Sequence, residues 1–293
     1  MNYQTRQSIL QYRPNCLVIY DYILSDRRRT NFSFEPVDFI ESERRTYTGK
    51  LNKTSVKKMK QAISLLIAQA PWKSFEHPTT KKLIKFKVNF VTLTLSAPQF
   101  NVTDREIKST MLKPWIQNMR RNFKLRSYVW RAERQKNGNI HFHFVTDTYL
   151  PYDAIRDAWN HLQDNYHFIE VFRHRNTSEW PNSTDVHSVQ NIRNLSAYIV
   201  KYMSKDEKGL ESIDGKVWDC SENLTALDYP QFEIDFKMYP KMNSILDEFK
   251  SKVIRNDWCT ILPLDDKQLR ARLPPDVIKC YNDFLNEVHN YKS

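Results

Sequence analysis

Two short motifs in this chain combine residue types that can act on a phosphate. The segment YIVKYMSK, Tyr198 to Lys205, contains two overlapping copies of Tyr-x-x-Lys. Tyrosines four residues apart on a helix share one face. The upstream motif His141-Phe142-His143 places two imidazoles on one face of a strand, where they can hold one metal ion. A metal that polarises a phosphate, together with a pair of tyrosine nucleophiles, predicts transesterification of a phosphodiester.

Each tyrosine of this segment has its own lysine, because Lys201 follows Tyr198 and Lys205 follows Tyr202 at the same spacing. A tyrosine, with a pKa of about 10, is a poor nucleophile unless its phenolate is stabilised. A lysine one turn away favours the phenolate and can steady the phosphate. Taken alone, the segment is more typical of an ordinary amphipathic helix with three inward residues, Leu195, Ile199 and Met203.

Glu133 is the natural third ligand of a metal bound by the two histidines. It lies on the strand 128–134, and the turn signal Asn137-Gly138 folds the strand 140–146 back onto it. A two-residue turn would place Glu133 opposite Phe142 and on the phenylalanine face. A one-residue bulge or a longer loop would bring Glu133 to the histidine face instead. The pattern leaves both arrangements open.

A set of two imidazoles and one carboxylate suits Mg²⁺ or Mn²⁺, and the imidazoles favour Mn²⁺ or Zn²⁺ over Mg²⁺. The alternative is a pair of exposed strand histidines, and for a His-x-His motif alone this is the commoner case. The order of the motifs strengthens the functional interpretation, since a threonine-rich strand (90–96), the histidines and the tyrosines follow one another in a basic chain.

The predicted elements give an α+β fold. From the strand 88–95 onward, they run strand, helix, strand, strand, helix, strand, helix. This order predicts a ferredoxin-like arrangement with a central antiparallel sheet flanked by helices. Three domains are predicted: an N-terminal appendage with a basic helix, a nuclease domain and a C-terminal extension, at residues 1–80, 81–206 and 207–293.

Composition restricts the function classes. The chain has 293 residues and a formal net charge of +11, which favours a polyanionic partner such as nucleic acid, although a basic solvated surface is the plain alternative. Its four glycines cannot form a P-loop or a dinucleotide-binding loop, so no nucleotide cofactor is expected. Its four cysteines form no Cys-x-x-Cys pair. An N-terminus without an apolar signal core and the lack of a long apolar run predict a cytoplasmic protein that does not enter a membrane.

The three motifs together resemble those of the HUH endonucleases of the Rep type, the initiators of rolling-circle replication. FVTLTLS (90–96) resembles their first motif, HFHF (141–144) their histidine motif, and YIVKYMSK their tyrosine motif in its two-tyrosine form. The histidines precede the tyrosines, as in Rep proteins, whereas conjugative relaxases have the reverse order. The resemblance covers about residues 87–205.

The resemblance implies a replication initiator that nicks single-stranded DNA at an origin. A tyrosine forms a 5′-phosphotyrosine link and leaves a 3′-OH, and the second tyrosine later helps to end the round of replication. Unwinding would belong to a host helicase, with other host replication proteins as further partners. The lack of a fused helicase domain points to a plasmid or a small phage in a bacterial cytoplasm.

Two alternatives remain at this stage. A transposase of the same superfamily would use one working tyrosine on transposon ends. A protein that only binds single-stranded nucleic acid would have a steep salt dependence and no covalent product.

Overall fold

The computed structural model describes residues 5–24, 49–76, 80–176, 178–188, 203, 211–225, 229–255 and 259–290. The chain is α+β with antiparallel sheets, as predicted. Within these ranges no helix has the length and the apolar character that crossing a membrane requires.

The chain forms two compact units, one of residues 47–225 and one of residues 1–46 together with 226–293. The predicted domain boundaries fall at residues 80 and 206 instead. The difference follows from strand pairing, because strands near the N-terminus pair with strands near the C-terminus.

The unit of residues 47–225 is built on a five-stranded antiparallel sheet. Its strand order is β8-β5-β7-β6-β9. The bounds of these strands, in chain order, are β5 (Asn89–Thr94), β6 (Tyr128–Arg134), β7 (Ile140–Thr146), β8 (Thr184–Ser188) and β9 (Trp218–Cys220). The bounds predicted for the β6–β7 hairpin are confirmed. β7 lies between β5 and β6 and pairs with both.

The main core lies between one face of this sheet and the helices that connect its strands. These helices are α2 (Asp104–Ile107), α3 (Lys113–Phe123), α4 (Tyr152–Asp164) and α5 (Glu170–Arg175). The sheet contributes inward side chains of alternate residues, and the helices pack on them. The largest buried members of the cluster are Trp115, Phe142, Phe144 and Trp159.

Helix α2 begins with the predicted capping box, in which Thr103 and Glu106 each accept the other's backbone N–H. A π-helical turn, Lys108–Leu112, joins α2 to α3. Pro114 has no N–H and its ring crowds the carbonyl one turn before it, so the wider turn accommodates the proline inside a continuous helix. The predicted inward stripe is confirmed at its first four positions, Ile107, Met111, Trp115 and Met119.

Helix α1 (Lys53–Gln69) confirms the predicted helix over 55–70 and contacts β6 and β9. Asn52 caps its first turn, and Pro71 follows its end. A small hairpin of β3 (Lys73–Glu76) and β4 (Leu83–Phe86) then precedes β5. Sequence analysis did not predict this hairpin.

The segment 168–172, which sequence analysis interpreted as a strand, does not form one. Phe168 and Ile169 are buried, and helix α5 begins at Glu170. Arg173 of this helix forms a bidentate ion pair with Asp164 at 2.7 and 2.8 Å. The apolar run was too short to separate a strand from the entry of a helix.

The second unit also has an antiparallel sheet, in the order β10-β1-β2-β12-β11. Its strands are β1 (Thr5–Arg13), β2 (Cys16–Leu24), β10 (Gln231–Glu233), β11 (Ile254–Arg255) and β12 (Thr260–Pro263). Three helices cover one face of this sheet: α6 (Met238–Glu248), α7 (Lys267–Arg272) and α8 (Pro275–Asn290). The hydroxyl of Tyr281 accepts the N–H of Asn15 at the β1–β2 turn, at 3.0 Å.

Replacing Gly49 with alanine is expected to lower the free energy of unfolding by about 3 kcal/mol, through backbone strain and overpacking. Gly49 has a φ of +69°, and an added Cβ would lie 2.4 Å from the carbonyl oxygen of Ile213. Gly138 is the matched control, since its φ is +87° but no atom lies within 4 Å of an added Cβ. Gly138→Ala should therefore cost only the strain, about 1 kcal/mol. Urea unfolding measures both, and equal losses would contradict the predicted contact.

Candidate metal centre

The β6–β7 hairpin positions the predicted metal ligands. Phe142 and Phe144 point into the core and are fully buried, so the alternating His141 and His143 lie on the opposite face of β7. Glu133 lies directly opposite His141 in the register of the two strands. The carboxylate therefore shares the histidine face.

The two-residue turn considered for Asn137-Gly138 is wrong, and the longer loop is confirmed. Gln135 pairs with Asn139 through a backbone hydrogen bond of 2.9 Å, which leaves a three-residue loop. Gly138 closes this loop with a φ of +87°, as in hairpins that end a three-residue loop with a left-handed residue. The extra loop residue shifts the register by one and moves Glu133 from the position opposite Phe142 to the position opposite His141.

Glu133, His141 and His143 form a compact set of donors. One donor atom from each residue lies within 4.8 Å of the others. His143 Nε2 is 2.7 Å from Glu133 Oε1, and the two imidazole centroids are 4.7 Å apart at 80°. Among the described residues, this is the group of metal-binding side chains that the structure brings together.

Neighbouring side chains orient the donors. Thr94, at the end of β5, lies opposite His141, and its Oγ1 is 3.0 Å from His141 Nδ1. The Phe90 ring lies against His143, with 5.3 Å between centroids. Arg131, which is buried, has a guanidinium nitrogen 4.0 Å from Glu133 Oε2. A hydroxyl or a charge that holds a ligand in this way fixes its orientation and its protonation.

The electrostatics of the site favour the protonation states that a metal requires. Burial, reinforced by the charge of His143, lowers the pKa of His141 to about 4. Burial by itself raises the pKa of Glu133, but the hydrogen bond from His143 and the nearby positive charges outweigh it and hold that pKa below its ordinary value. At neutral pH His141 is therefore neutral and Glu133 is ionised. Neutral imidazole and carboxylate are the forms that coordinate metals.

The donor set fits a divalent metal. His143 Nδ1 is buried and has no hydrogen-bond partner among the residues that the structure describes, although buried polar atoms ordinarily have one. Two imidazoles and a carboxylate are ligands of divalent transition metals, and carboxylate oxygen also suits Mg²⁺. Glu133, His141 and His143 are thus a possible metal-binding triad.

The predicted nucleophiles and their lysines, Tyr198, Lys201, Tyr202 and Lys205, lie outside the described residues. Met203 is the one residue between 189 and 210 that the structure describes. It is helical and fully buried, in agreement with the predicted inward position.

Sequence analysis missed a polar network beside the hairpin. Arg134 donates to both carboxylate oxygens of Asp104, at 2.9 and 2.5 Å, and to the carbonyl oxygen of Ser212. Asp104 also accepts from Gln99 and from the backbone N–H of Asp214. This network ties β6, which carries Glu133, to helix α2 and to the segment after residue 210. A capping-box signal identified the local helix start, but nothing in the pattern indicated the partner of Asp104.

Replacing Asp104 with asparagine is expected to cost about 3 kcal/mol of stability at neutral pH, because a buried ion pair loses one partner. Burial alone raises the pKa of Asp104, but the hydrogen bonds from Arg134 and Gln99 hold it below its ordinary value. A carboxyl whose folded-state pKa is lowered stabilises above its unfolded pKa, about 4, and loses this effect as the pH falls through the folded value. Urea unfolding across pH should show a constant difference above about pH 5 that shrinks below about pH 4. A pH-independent difference would contradict the ion pair.

Comparison with known families gives one match. The model of the replication-associated protein ORF2 family matches residues 88–207. This stretch begins just before β5 and includes the triad and the two tyrosines. No curated protein matches the chain. No solved structure matches it either. The similarity over this stretch indicates a protein associated with DNA replication.

Proposed function

We propose, from the similarity of residues 88–207 to the replication-associated family, that this chain is a rolling-circle replication initiator of the HUH, Rep type. It nicks single-stranded DNA at a replication origin and later rejoins the strand. Tyr198 and Tyr202 are the proposed nucleophiles. Glu133, His141 and His143 are the proposed ligands of a divalent metal, Mg²⁺ or Mn²⁺.

One observation carries this proposal. Glu133, His141 and His143 converge within 4.8 Å on the sheet face opposite the main core, inside the stretch that matches the family. Strand histidines without a role have no reason to meet an ionised carboxylate, and a buried imidazole nitrogen is ordinarily paired. The donors are arranged as a metal site would require.

The strand order supports the ferredoxin-like part of the proposal. Helices α2 and α3 lie between β5 and β6 in the chain, and α4 and α5 lie between β7 and β8. With the hairpin of β6 and β7, this is a β-α-β-β-α-β succession. Its four strands lie in the order β8-β5-β7-β6, which places the triad on β7 and β6, next to β5.

In the proposed reaction, the phenolate oxygen of Tyr198 or Tyr202 attacks the phosphorus of one phosphodiester. A bond from phosphorus to the tyrosine forms while the bond to the 3′ oxygen breaks, and the 3′ oxygen takes up a proton. The 5′ end is then joined to the tyrosine, and the free 3′-OH can prime synthesis. Because the phosphotyrosine is itself a phosphodiester, attack by a 3′-OH reverses the exchange and rejoins a strand without ATP.

The chain's own residues have separate parts in this reaction. Lys201 and Lys205 favour the phenolates and steady the phosphate. Thr94 holds His141 through its hydroxyl, and the hydrogen bond between His143 and Glu133 keeps these two donors together. A bound divalent cation would supply positive charge that polarises the scissile phosphate.

The second tyrosine gives the proposed reaction a way to end. One tyrosine cuts the origin at the start of a round, and the other cuts the regenerated origin, so that the released 3′-OH can close the circle. The chain has no P-loop, so we assign unwinding to a host helicase in the bacterial cytoplasm.

The test is a denaturing gel of the protein incubated with single-stranded DNA from a candidate origin region. Mn²⁺ should give an SDS-resistant protein–DNA adduct, and EDTA should prevent it. Tight binding without an adduct on any pooled single-stranded DNA would overturn the proposal and favour a protein that only binds DNA. Adducts formed on transposon ends, and not on origin sequences, would favour a transposase.

A further inference from the structure

Exposed apolar side chains gather around the β3–β4 hairpin, which precedes the stretch that matches the family. Trp72 immediately precedes β3, Leu83 begins β4, and Tyr149 lies three residues beyond β7. Their exposed fractions are 55%, 64% and 42%. Leaving such side chains in water is unfavourable by about 25 cal/mol per Å² of apolar surface. A group of them around one small hairpin therefore marks a contact surface.

The aromatic rings of this region are held in place. Tyr149 packs on Phe75 of β3 and Phe86 of β4, with ring centroids 5.2 and 5.9 Å apart. The Lys87 ammonium lies 5.5 Å from the centroid of the Trp72 ring. Rings that are already fixed lose little conformational freedom when they stack on a ligand. The arrangement therefore favours a flat ligand.

Positive charge surrounds these rings. Lys81, Lys82 and Lys85 are all exposed on the loop and on β4. Lys81 forms an exposed ion pair with Glu76 at 3.6 Å. Lys82 and Lys85 thus add cationic groups next to stacked aromatic rings. A flat π system with regularly spaced negative charge is the ligand that complements such a surface, and nucleic acid has both features.

The hairpin lies away from the triad, at the other end of the same strand. β5 runs from Asn89, close after the hairpin, to Thr94, which contacts His141. Five residues of strand span about 17 Å. A stacked single strand advances about 3.4 Å per nucleotide, so this distance corresponds to about five nucleotides. The hairpin is therefore placed for nucleotides that flank the cut and not for the cut phosphate.

We infer that the hairpin surface, formed by Trp72, Lys82, Leu83, Lys85 and Tyr149, binds the single-stranded DNA that flanks the cleaved phosphate. Trp72 and Tyr149 stack on bases, and the two lysines neutralise phosphates. The strand must be single, because a duplex hides the faces of its bases inside the stack. This inference rests on the proposed function for its position beside a cut, but DNA binding by the hairpin can be measured without cleavage.

The test measures the affinity of the full chain for a fluorescein-labelled oligothymidylate by anisotropy in EDTA, where no cleavage is expected. Trp72→Ala should weaken binding at least about fivefold, because stacking contributes about 1–3 kcal/mol per base. Trp72→Phe should lose less, since it keeps a ring. Phe236→Ala is the matched control, as Phe236 is an 81%-exposed aromatic beside Lys237 in the other unit.

Charge is tested separately with the double variant Lys82→Gln/Lys85→Gln. The slope of log affinity against log salt concentration should decrease in magnitude by about 1.4, since each phosphate contact to a single strand contributes about 0.7. Unchanged thermal melting of each variant would show that the fold is intact, as expected for exposed side chains.

The outcomes separate this inference from the proposed function. Wild-type affinity in Trp72→Ala and an unchanged salt slope in the double lysine variant would overturn the hairpin surface, even if the wild type forms the covalent adduct. An equal loss of affinity in Phe236→Ala, or binding to anionic lipid vesicles instead of the oligothymidylate, would overturn it as well. Weakened binding in the hairpin variants, with no adduct from the wild type, would support the hairpin surface and reject the nicking reaction.

Discussion

Replacing both Tyr198 and Tyr202 with phenylalanine should eliminate the covalent protein–DNA adduct. Phenylalanine keeps the ring but lacks the oxygen that attacks phosphorus, so no protein–phosphate bond can form. Each single variant should still form an adduct, because the other tyrosine retains its own lysine. The measurement is the yield of SDS-resistant adduct on single-stranded origin DNA in Mn²⁺.

The double tyrosine variant also separates catalysis from binding. Its affinity for single-stranded DNA should stay close to that of the wild type, since stacking and phosphate contacts elsewhere remain. Tyr239→Phe is a matched control, because Tyr239 is an exposed tyrosine of the other unit. It should form the adduct normally. An adduct of normal yield from the double variant would reject both tyrosines as nucleophiles.

Replacing His141 with alanine should weaken Mn²⁺ binding at least about 100-fold and decrease the adduct yield in proportion. Removing a residue that only orients a ligand typically costs about 10- to 100-fold in metal affinity or activity, and His141 is itself a proposed ligand. Titration of Mn²⁺ followed by electron paramagnetic resonance measures the affinity directly. Metal binding is then observed without DNA and without turnover.

Two further variants make the metal prediction sharper. Thr94→Val removes the hydroxyl beside His141 Nδ1 and should cost about 10- to 100-fold in affinity, less than loss of the ligand. His167→Ala changes a histidine that is exposed and bonded to Glu170, so it should bind Mn²⁺ normally. A His141→Ala variant that binds Mn²⁺ and nicks like the wild type would refute the metal assignment.

Much of the local structure could be predicted from the sequence, because local signals carried it. The apolar spacing of α1, the capping box at Thr103 and the β6–β7 hairpin each depend on residues close together in the chain. The sheet of the second unit could not be predicted in the same way. β1 pairs with β10 and β2 with β12, more than 200 residues apart, and no local pattern encodes such partners.

The site was predictable in its residue types and less so in its register. Alternation with two phenylalanines was enough to place His141 and His143 on one face. Glu133 was ambiguous, because Asn-Gly fits both a two-residue turn and the end of a three-residue loop, and the two differ by one position. The contact of Thr94 with His141 depends on the pairing of β5 with β7, which only the folded sheet establishes.

The three-residue loop at 136–138 has a consequence for tolerated changes in chain length. Exposed loop tips ordinarily accept insertions and deletions. At this tip, gain or loss of one residue would shift β6 by one position against β7. Trp130 and Ala132 would leave the core, and Glu133 would enter it. An exposed loop with no ligand of its own is therefore held to a single length by the residues at both of its ends.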